Sequence, residues 1–308
     1  MLRYRYRNDE CTGLSQMFLL FGYVIVGYTC NKLKIFDETS NTKLSGFLVK
    51  VAMPATVLAS AFGQTGLELG MILRALVMCV GIYMLMPFVS KILAKLFHWE
   101  PTAELMLTYS NIMFMGLPIV RSMYGEGAVI YVVLFVMVFN VWIYTSGIMT
   151  LQGRLTEAKA LLQKMINPGI VAALLAVFII FMNLSAPAPV VNLLTGVGSV
   201  TTPLAMMVIG SNVAMVDLRR VLTRKDLYGI AACKLILFPL MVRGISLLLM
   251  GPGVYTNVAT VLAAMPTAGN VTMLCSEYDG NASLAAQGTC ICTVLSTVSL
   301  PILLSLLG

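Results

Sequence analysis

Apolar residues run along this chain in long blocks, and polar or charged stretches mark most of the joins between them. A helix rises 1.5 Å per residue, so about 20 apolar residues are needed to cross the hydrocarbon core of a bilayer. On that measure the blocks predict ten transmembrane helices, at roughly 13–31, 43–62, 67–90, 103–122, 127–150, 167–184, 193–215, 227–250, 256–276 and 282–307. The joins include "KLKIFDETSNTK", "HWEPTAE", "QGRLTEAKALLQK" and "VDLRRVLTRKD".

Landmarks inside the blocks repeat. The second carries "VAMPATVLASAF" and the seventh "VTTPLAMMVIGS", with Pro54 and Pro203 149 residues apart. The third ends in "LMPFVS" and the eighth holds "LFPLMV", where Pro87 and Pro239 are 152 apart. After the fourth and ninth come "YGEGA" and "YDGNA", with Tyr124 and Tyr278 154 apart. A nearly constant offset, kept in order, predicts an internal repeat of about 13–150 and 167–307. Five helices per half is an odd number, so the second half enters the membrane from the opposite face. The expected fold class is all-α and polytopic, with ten transmembrane helices in two inverted five-helix repeats. Secondary transporters are built this way, with the site at the repeat interface on broken helices.

Composition points to the same solvent. Hydrophobic residues make up 59% of the 308 residues and charged ones 11%, against roughly 25% charged in soluble domains. Mean hydropathy is +0.90, so a lipid bilayer is the expected partner. The net charge of +7 comes from Lys and Arg in the joins, and with no basic stripe carrying interleaved aromatics a nucleic acid is not expected. Twelve basic residues lie on the side of connections 1–2, 3–4, 5–6 and 7–8, and four on the other. That asymmetry places those connections in the cytoplasm and both termini outside a cell (plasma) membrane, although Arg3, Arg5 and Arg7 locally oppose it. The seven cysteines are scattered without a C-x-x-C spacing and His98 stands alone, so neither a metal nor another cofactor is expected. "MLRYRYRNDECTG" precedes an apolar run that lacks a small-residue cleavage pattern, and is read as the start of a retained first helix.

Two blocks contain breaks. "YSNIMFMGLPIVRSMYGEGA" spans 109–128 and "AAMPTAGNVTMLCSEYDGNA" spans 263–282. An interior proline removes one helical hydrogen bond and clashes with the carbonyl four residues back. Freed backbone groups are costly in hydrocarbon unless they face protein or a water-filled cavity. Gly116-Leu117-Pro118 is expected to unwind helix four, and Pro266-Thr267-Ala268-Gly269 helix nine, with the two stretches crossing near the bilayer centre. Each break leaves a half-helix N-terminus with free N–H groups and a positive dipole end, which favours an anion. Asn111 and Asn270 add amides that hydrogen-bond a carboxylate without a buried fixed charge.

Other polar residues in the blocks divide by role. Pro54, Pro87, Pro203 and Pro239 read as packing kinks. Arg121 either draws an anion inward or snorkels to the interface, and both roles stay open as anion attraction or coupling. Glu277, at the end of helix nine, reads as interfacial, with proton carriage the alternative. Lys50, Arg74, Lys234 and Arg243 are expected to snorkel. Asn140, Asn212 and Asn257 are candidates to tie helices together.

"SNIMFMGLPIVRSMYGEGAVIYVVLFVMVFNVWIYTSG" resembles the fourth and fifth helices of the auxin efflux carrier family. "NPGIVAALLAVFI", "TPLAMMVIGSNVA" and "MPTAGNVTMLCSEYDGNASLAAQGTCICTVLSTVSLPI" resemble its sixth, seventh, and ninth to tenth, and "VAMPATVLASAF" its second. The resemblance implies a fold akin to bile acid/sodium symporters. Helices 1, 2, 6 and 7 (13–62 and 167–216) would form a scaffold and homodimer contact. Helices 3–5 and 8–10 (67–150 and 224–307) would form a transport unit moving in elevator fashion. Carried over to this chain, the substrate-binding positions are Asn111, Gly116, Leu117, Pro118, Pro266, Thr267, Ala268, Gly269 and Asn270. Family substrates are small organic anions: auxin in plants, malate, malonate and related carboxylates in bacteria. The join between helices five and six is only about 16 residues, which resembles the compact, mostly prokaryotic branch and argues against auxin. Sodium-coupled relatives use acidic side chains near the crossing. Here Ser110, Thr267 and Thr272 offer none, so sodium coupling is unsupported, although freed carbonyls can hold a cation.

The expected function is secondary transport of small organic anions by alternating access. The alternative is a membrane sensor or interaction protein on a transporter fold, and the short joins leave no room for a soluble signalling domain. An enzyme is not expected: Ser/His/Asp chemistry needs a membrane-embedded histidine, and His98 lies in a join.

Overall fold

The computed structural model describes residues 10–62, 69–153, 168–182, 184–216, 221 and 223–307. Among these the chain is helical, apart from one isolated antiparallel bridge. All ten apolar blocks form helices: α1 (Glu10–Lys32), α2 (Glu38–Phe62), α3 (Leu69–Leu96), α4a (Pro101–Thr108), α4b (Ile112–Tyr124), α5 (Glu126–Gln152), α6 (Pro168–Phe181), α7 (Ala188–Met215), α8 (Lys225–Met250), α9a (Val254–Ala263), α9b (Gly269–Glu277) and α10 (Ala282–Leu307). Six of them, α2, α3, α5, α7, α8 and α10, are each long and apolar enough to cross a membrane. Arg3, Arg5, Arg7 and the basic residues of 154–167 and 217–220, on which part of the orientation rests, lie outside the described residues. Large apolar side chains stand on the outer faces, Leu248 being 84% exposed, as befits a protein dissolved in lipid.

Two sets of helices pack among themselves. In one, α1 lies along α7 while α2 packs on α6 and the first part of α7. The α1–α7 contact is a backbone contact: a Cβ on Gly27 would lie 1.9 Å from the Met207 carbonyl oxygen, and one on Gly210 1.9 Å from that of Val24. Small residues bring membrane helices this close because packing, not hydrophobicity, drives their association. Asn41 Nδ2 donates to Ser211 Oγ at 2.8 Å and to Asn212 Oδ1 at 2.9 Å, tying α2 to α7. In the other set, α3 packs on α4a and α5, and α10 on α8 and α9b. Aromatic contacts centre on α5: Phe139 meets Tyr83 and Tyr109 edge to face, and Tyr131 meets Tyr255 of α9a. Asn257 accepts from Arg243 at 3.4 Å across α8 and α9a, and Asn140 donates to the Val136 carbonyl at 2.8 Å.

The prolines explain three of the four π turns among the described residues, Ile143–Gly147 having none two residues after it. Three five-residue π turns, Leu48–Ala52, Ile112–Gly116 and Cys233–Leu237, each end two residues before a proline, at Pro54, Pro118 and Pro239. A proline cannot donate to the carbonyl four residues back and clashes with it. Widening the preceding turn by one residue moves that carbonyl aside, and the residue before each proline donates five residues back instead. These helices therefore continue through their prolines. Gly116-Leu117-Pro118 is helical, and the expected unwinding there is corrected: the break in the fourth block is Tyr109–Asn111, seven residues earlier.

Candidate functional site

The unwound stretches of α4 and α9 lie against each other as two short extended strands. Ser110 and Thr267 form the isolated antiparallel bridge. The Asn111 N–H donates to the Pro266 carbonyl at 2.8 Å, and the Ala268 N–H to that of Tyr109 at 2.9 Å. The breaks thus satisfy each other's backbone, as burial in a membrane protein demands. Pro266, Thr267 and Ala268 are unwound as the sequence indicated, while Gly269 and Asn270 open α9b.

Side chains account for most of the carbonyls left over at the end of α4a. Thr267 Oγ1 donates to the Met106 oxygen at 3.0 Å. Lys234 Nζ, from α8, donates to the Leu107 oxygen at 2.7 Å and to Ser110 Oγ at 2.7 Å. Lys234 is only 1% exposed, so its expected snorkelling is overturned. Lys50 and Arg74, by contrast, are exposed. The misreading has a physical source. Lys234 lies nine residues beyond Lys225, roughly 13 Å along the helix, which is deep for a side chain to regain water. That depth is the one signal the sequence carries.

The half-helix N-termini differ. At α4b, Asn111 Oδ1 accepts from the Phe114 N–H at 3.3 Å, capping its own helix; its Nδ2 makes no hydrogen bond among the described residues. At α9b the cap residue is Ala268, which has no side-chain acceptor, and Gly269 and Asn270 are exposed. One helix end is therefore dressed by an amide, while the other presents its backbone N–H groups and the Asn270 side chain. Gly116 is where α4b meets α9a: a Cβ there would lie 2.6 Å from Leu262 Cδ2. Leu117 and Pro118 are buried beside it.

Arg121 and Glu277 stand away from the crossing, ten residues past Asn111 and the bridge partner Thr267 respectively, or roughly 15 Å along a helix. Arg121 bonds Glu126 at 2.5 Å, in the turn into α5, and its Nη1 reaches the Gly198 carbonyl of α7 at 3.4 Å. Glu277 is the exposed last residue of α9b. Between the crossing, α3 and α8 lies a cavity of about 20 Å³, lined by Thr108, Ser110, Lys234, Tyr83 and apolar side chains. It has room for roughly one water. No group of three or more metal-ligating side chains occurs among the described residues.

A family model described as "Membrane transport protein" matches residues 12–304. The chain is similar to a protein of Rhizobium meliloti (strain 1021) named "Putative malonate transporter", with 24% identity over 97% of this chain and 96% of that one. It is also similar to an "Uncharacterized transporter" of Methanothermobacter thermautotrophicus, with 22% identity over 91% of this chain and 93% of that one.

Proposed function

The chain belongs to the membrane transport protein family, the auxin efflux carrier family its motifs resemble, and we propose that it is a secondary carrier of small organic anions in the plasma membrane. The observation that carries this reading is the paired crossing of Ser110 and Thr267 with an uncapped helix N-terminus beside it. Extended backbone at membrane depth serves cavities and transported solutes. A helix N-terminus and two amides, Asn111 and Asn270, suit a carboxylate. Malonate and related dicarboxylates are the first candidates, in keeping with the name of the Rhizobium relative.

On this reading all ten helices cross the membrane as two inverted five-helix repeats. The set of α1, α2, α6 and α7 is the scaffold and homodimer contact, and the set of α3–α5 and α8–α10 is the moving unit. The densest helix packing falls within each set, which supports that division. Asn111, Pro266 to Asn270 and the tight Gly116 to Pro118 contact travel with the substrate in an elevator-type cycle. Uptake of radiolabelled malonate, malate, succinate and an indole carboxylate into proteoliposomes tests the proposal, with proton, sodium and voltage gradients varied one at a time. Saturable uptake of a dicarboxylate is expected. No uptake of any, by folded protein, would overturn it.

A further inference from the structure

Lys234 is the one feature of the crossing that neither helix break explains. Its Nζ sits among oxygen acceptors of the type that hold a metal cation, a freed backbone carbonyl (Leu107) and a hydroxyl (Ser110), each at 2.7 Å. The face of the Phe238 ring lies 5.8 Å away, a further cation-favouring contact. Among the described residues no carboxylate forms a salt bridge with it; the ion pairs found are Arg121–Glu126 and Arg224–Asp226. An ammonium placed there would be held by dipoles alone, as a coordinated ion is. In transporters, carbonyls released by helix breaks are the groups that coordinate coupling cations. Here the cation is covalently attached to the neighbouring helix and cannot leave.

We propose that the Lys234 ammonium is a built-in cation that clamps the break of α4, doing the work a dissolved sodium ion would do, so that transport by this chain needs no sodium. This deepens the carrier reading and rests on it. Lys234 acts through the backbone, as a positioning residue. With Leu107 O and Ser110 Oγ gripped from α8, the strand Tyr109–Asn111 is fixed against Pro266–Ala268, and Asn111 is fixed with it.

The test uses purified full-length protein, wild type and the Lys234→Ala and Lys234→Met variants, with methylammonium as the probe. Replacing sodium by choline should leave wild-type malonate uptake unchanged. Lys234→Met, which keeps the side-chain bulk without donors, should lower uptake by about tenfold or more, the size expected for losing hydrogen bonds to a charged group. In Lys234→Ala, methylammonium should raise the melting temperature and restore part of the uptake, while tetramethylammonium, which has no N–H, should do neither. Wild type should respond to neither amine. Wild-type uptake that requires sodium, full uptake by Lys234→Met, or an absent methylammonium shift in Lys234→Ala would each overturn the clamp. Should wild type carry no anion at all, the carrier reading fails, and the melting experiment still decides the clamp.

Discussion

Ser110 and Thr267 face each other as an antiparallel pair at the point where α4 and α9 both lose helical geometry. Around that pair, three of the carbonyls at the end of α4 are capped by groups from elsewhere: Thr267 Oγ1 on Met106, Lys234 Nζ on Leu107 and the Ala268 N–H on Tyr109. Thr267→Val keeps the shape and removes one cap, leaving a buried carbonyl unpaired at a cost of about 1–3 kcal/mol. Thermal melting of the purified protein checks this, and Thr267→Ser should recover the loss.

Glycine substitutions should rank by what the new methyl meets. In Gly27→Ala and Gly210→Ala it meets backbone carbonyls 1.9 Å away, which cannot move without separating α1 from α7. Overpacking of this kind costs about 1–3 kcal/mol or more. In Gly116→Ala it meets Leu262 Cδ2, the far end of a flexible side chain, and stability should fall less. Comparing the three melting temperatures decides the ranking.

Asn111 has two jobs that separate by substitution. Asn111→Asp keeps an acceptor for the Phe114 N–H, so melting should stay near wild type, but it sets a negative charge beside the proposed carboxylate site and should abolish uptake. Asn111→Ala loses both, with about 0.5–2 kcal/mol of stability gone with the cap. Paired melting and uptake measurements on the two variants tell the jobs apart.

Arg121 is committed to Glu126, and both are partly in solvent, 19% and 52% exposed. Arg121→Ala should therefore change stability by less than about 1 kcal/mol and leave the KM for malonate unchanged. A marked rise in KM would put the guanidinium in the substrate's path.

Asp37, in the join between α1 and α2, caps α2 through the Ser40 side chain and N–H, and these bonds hold its carboxyl below the ordinary 3.8. A depressed folded-state pKa contributes stability that is present above the unfolded value and lost as pH falls through the folded one. Asp37→Asn should thus melt lower than wild type at neutral pH, with the gap closing below about pH 3.8. Melting curves across pH 3–7 check it.

Much of this arrangement was legible in the residues. The ten apolar blocks all became helices, because 20-residue apolar runs bounded by charge leave the backbone no other economical way to satisfy itself. The break at Pro266-Thr267-Ala268 was legible too, with proline and glycine close together. The break in α4 lies away from its proline because a π turn lets the helix run through Pro118. Its true position, Tyr109–Asn111, carries no proline or glycine and is set by pairing with α9, a long-range contact no local pattern announces. Lys234 was misread for the same reason: its partners, Leu107 and Ser110, lie more than a hundred residues away in sequence.

The most direct test of the central claim, that an organic anion is carried at the α4–α9 crossing, is malonate uptake by proteoliposomes of wild type, Asn111→Ala and Asn270→Ala, each shown to be folded. Saturable wild-type uptake that falls about tenfold or more in both variants, as loss of a hydrogen bond to a charged ligand should produce, is the predicted result. Wild-type rates in both variants would contradict it and move the site elsewhere in the protein.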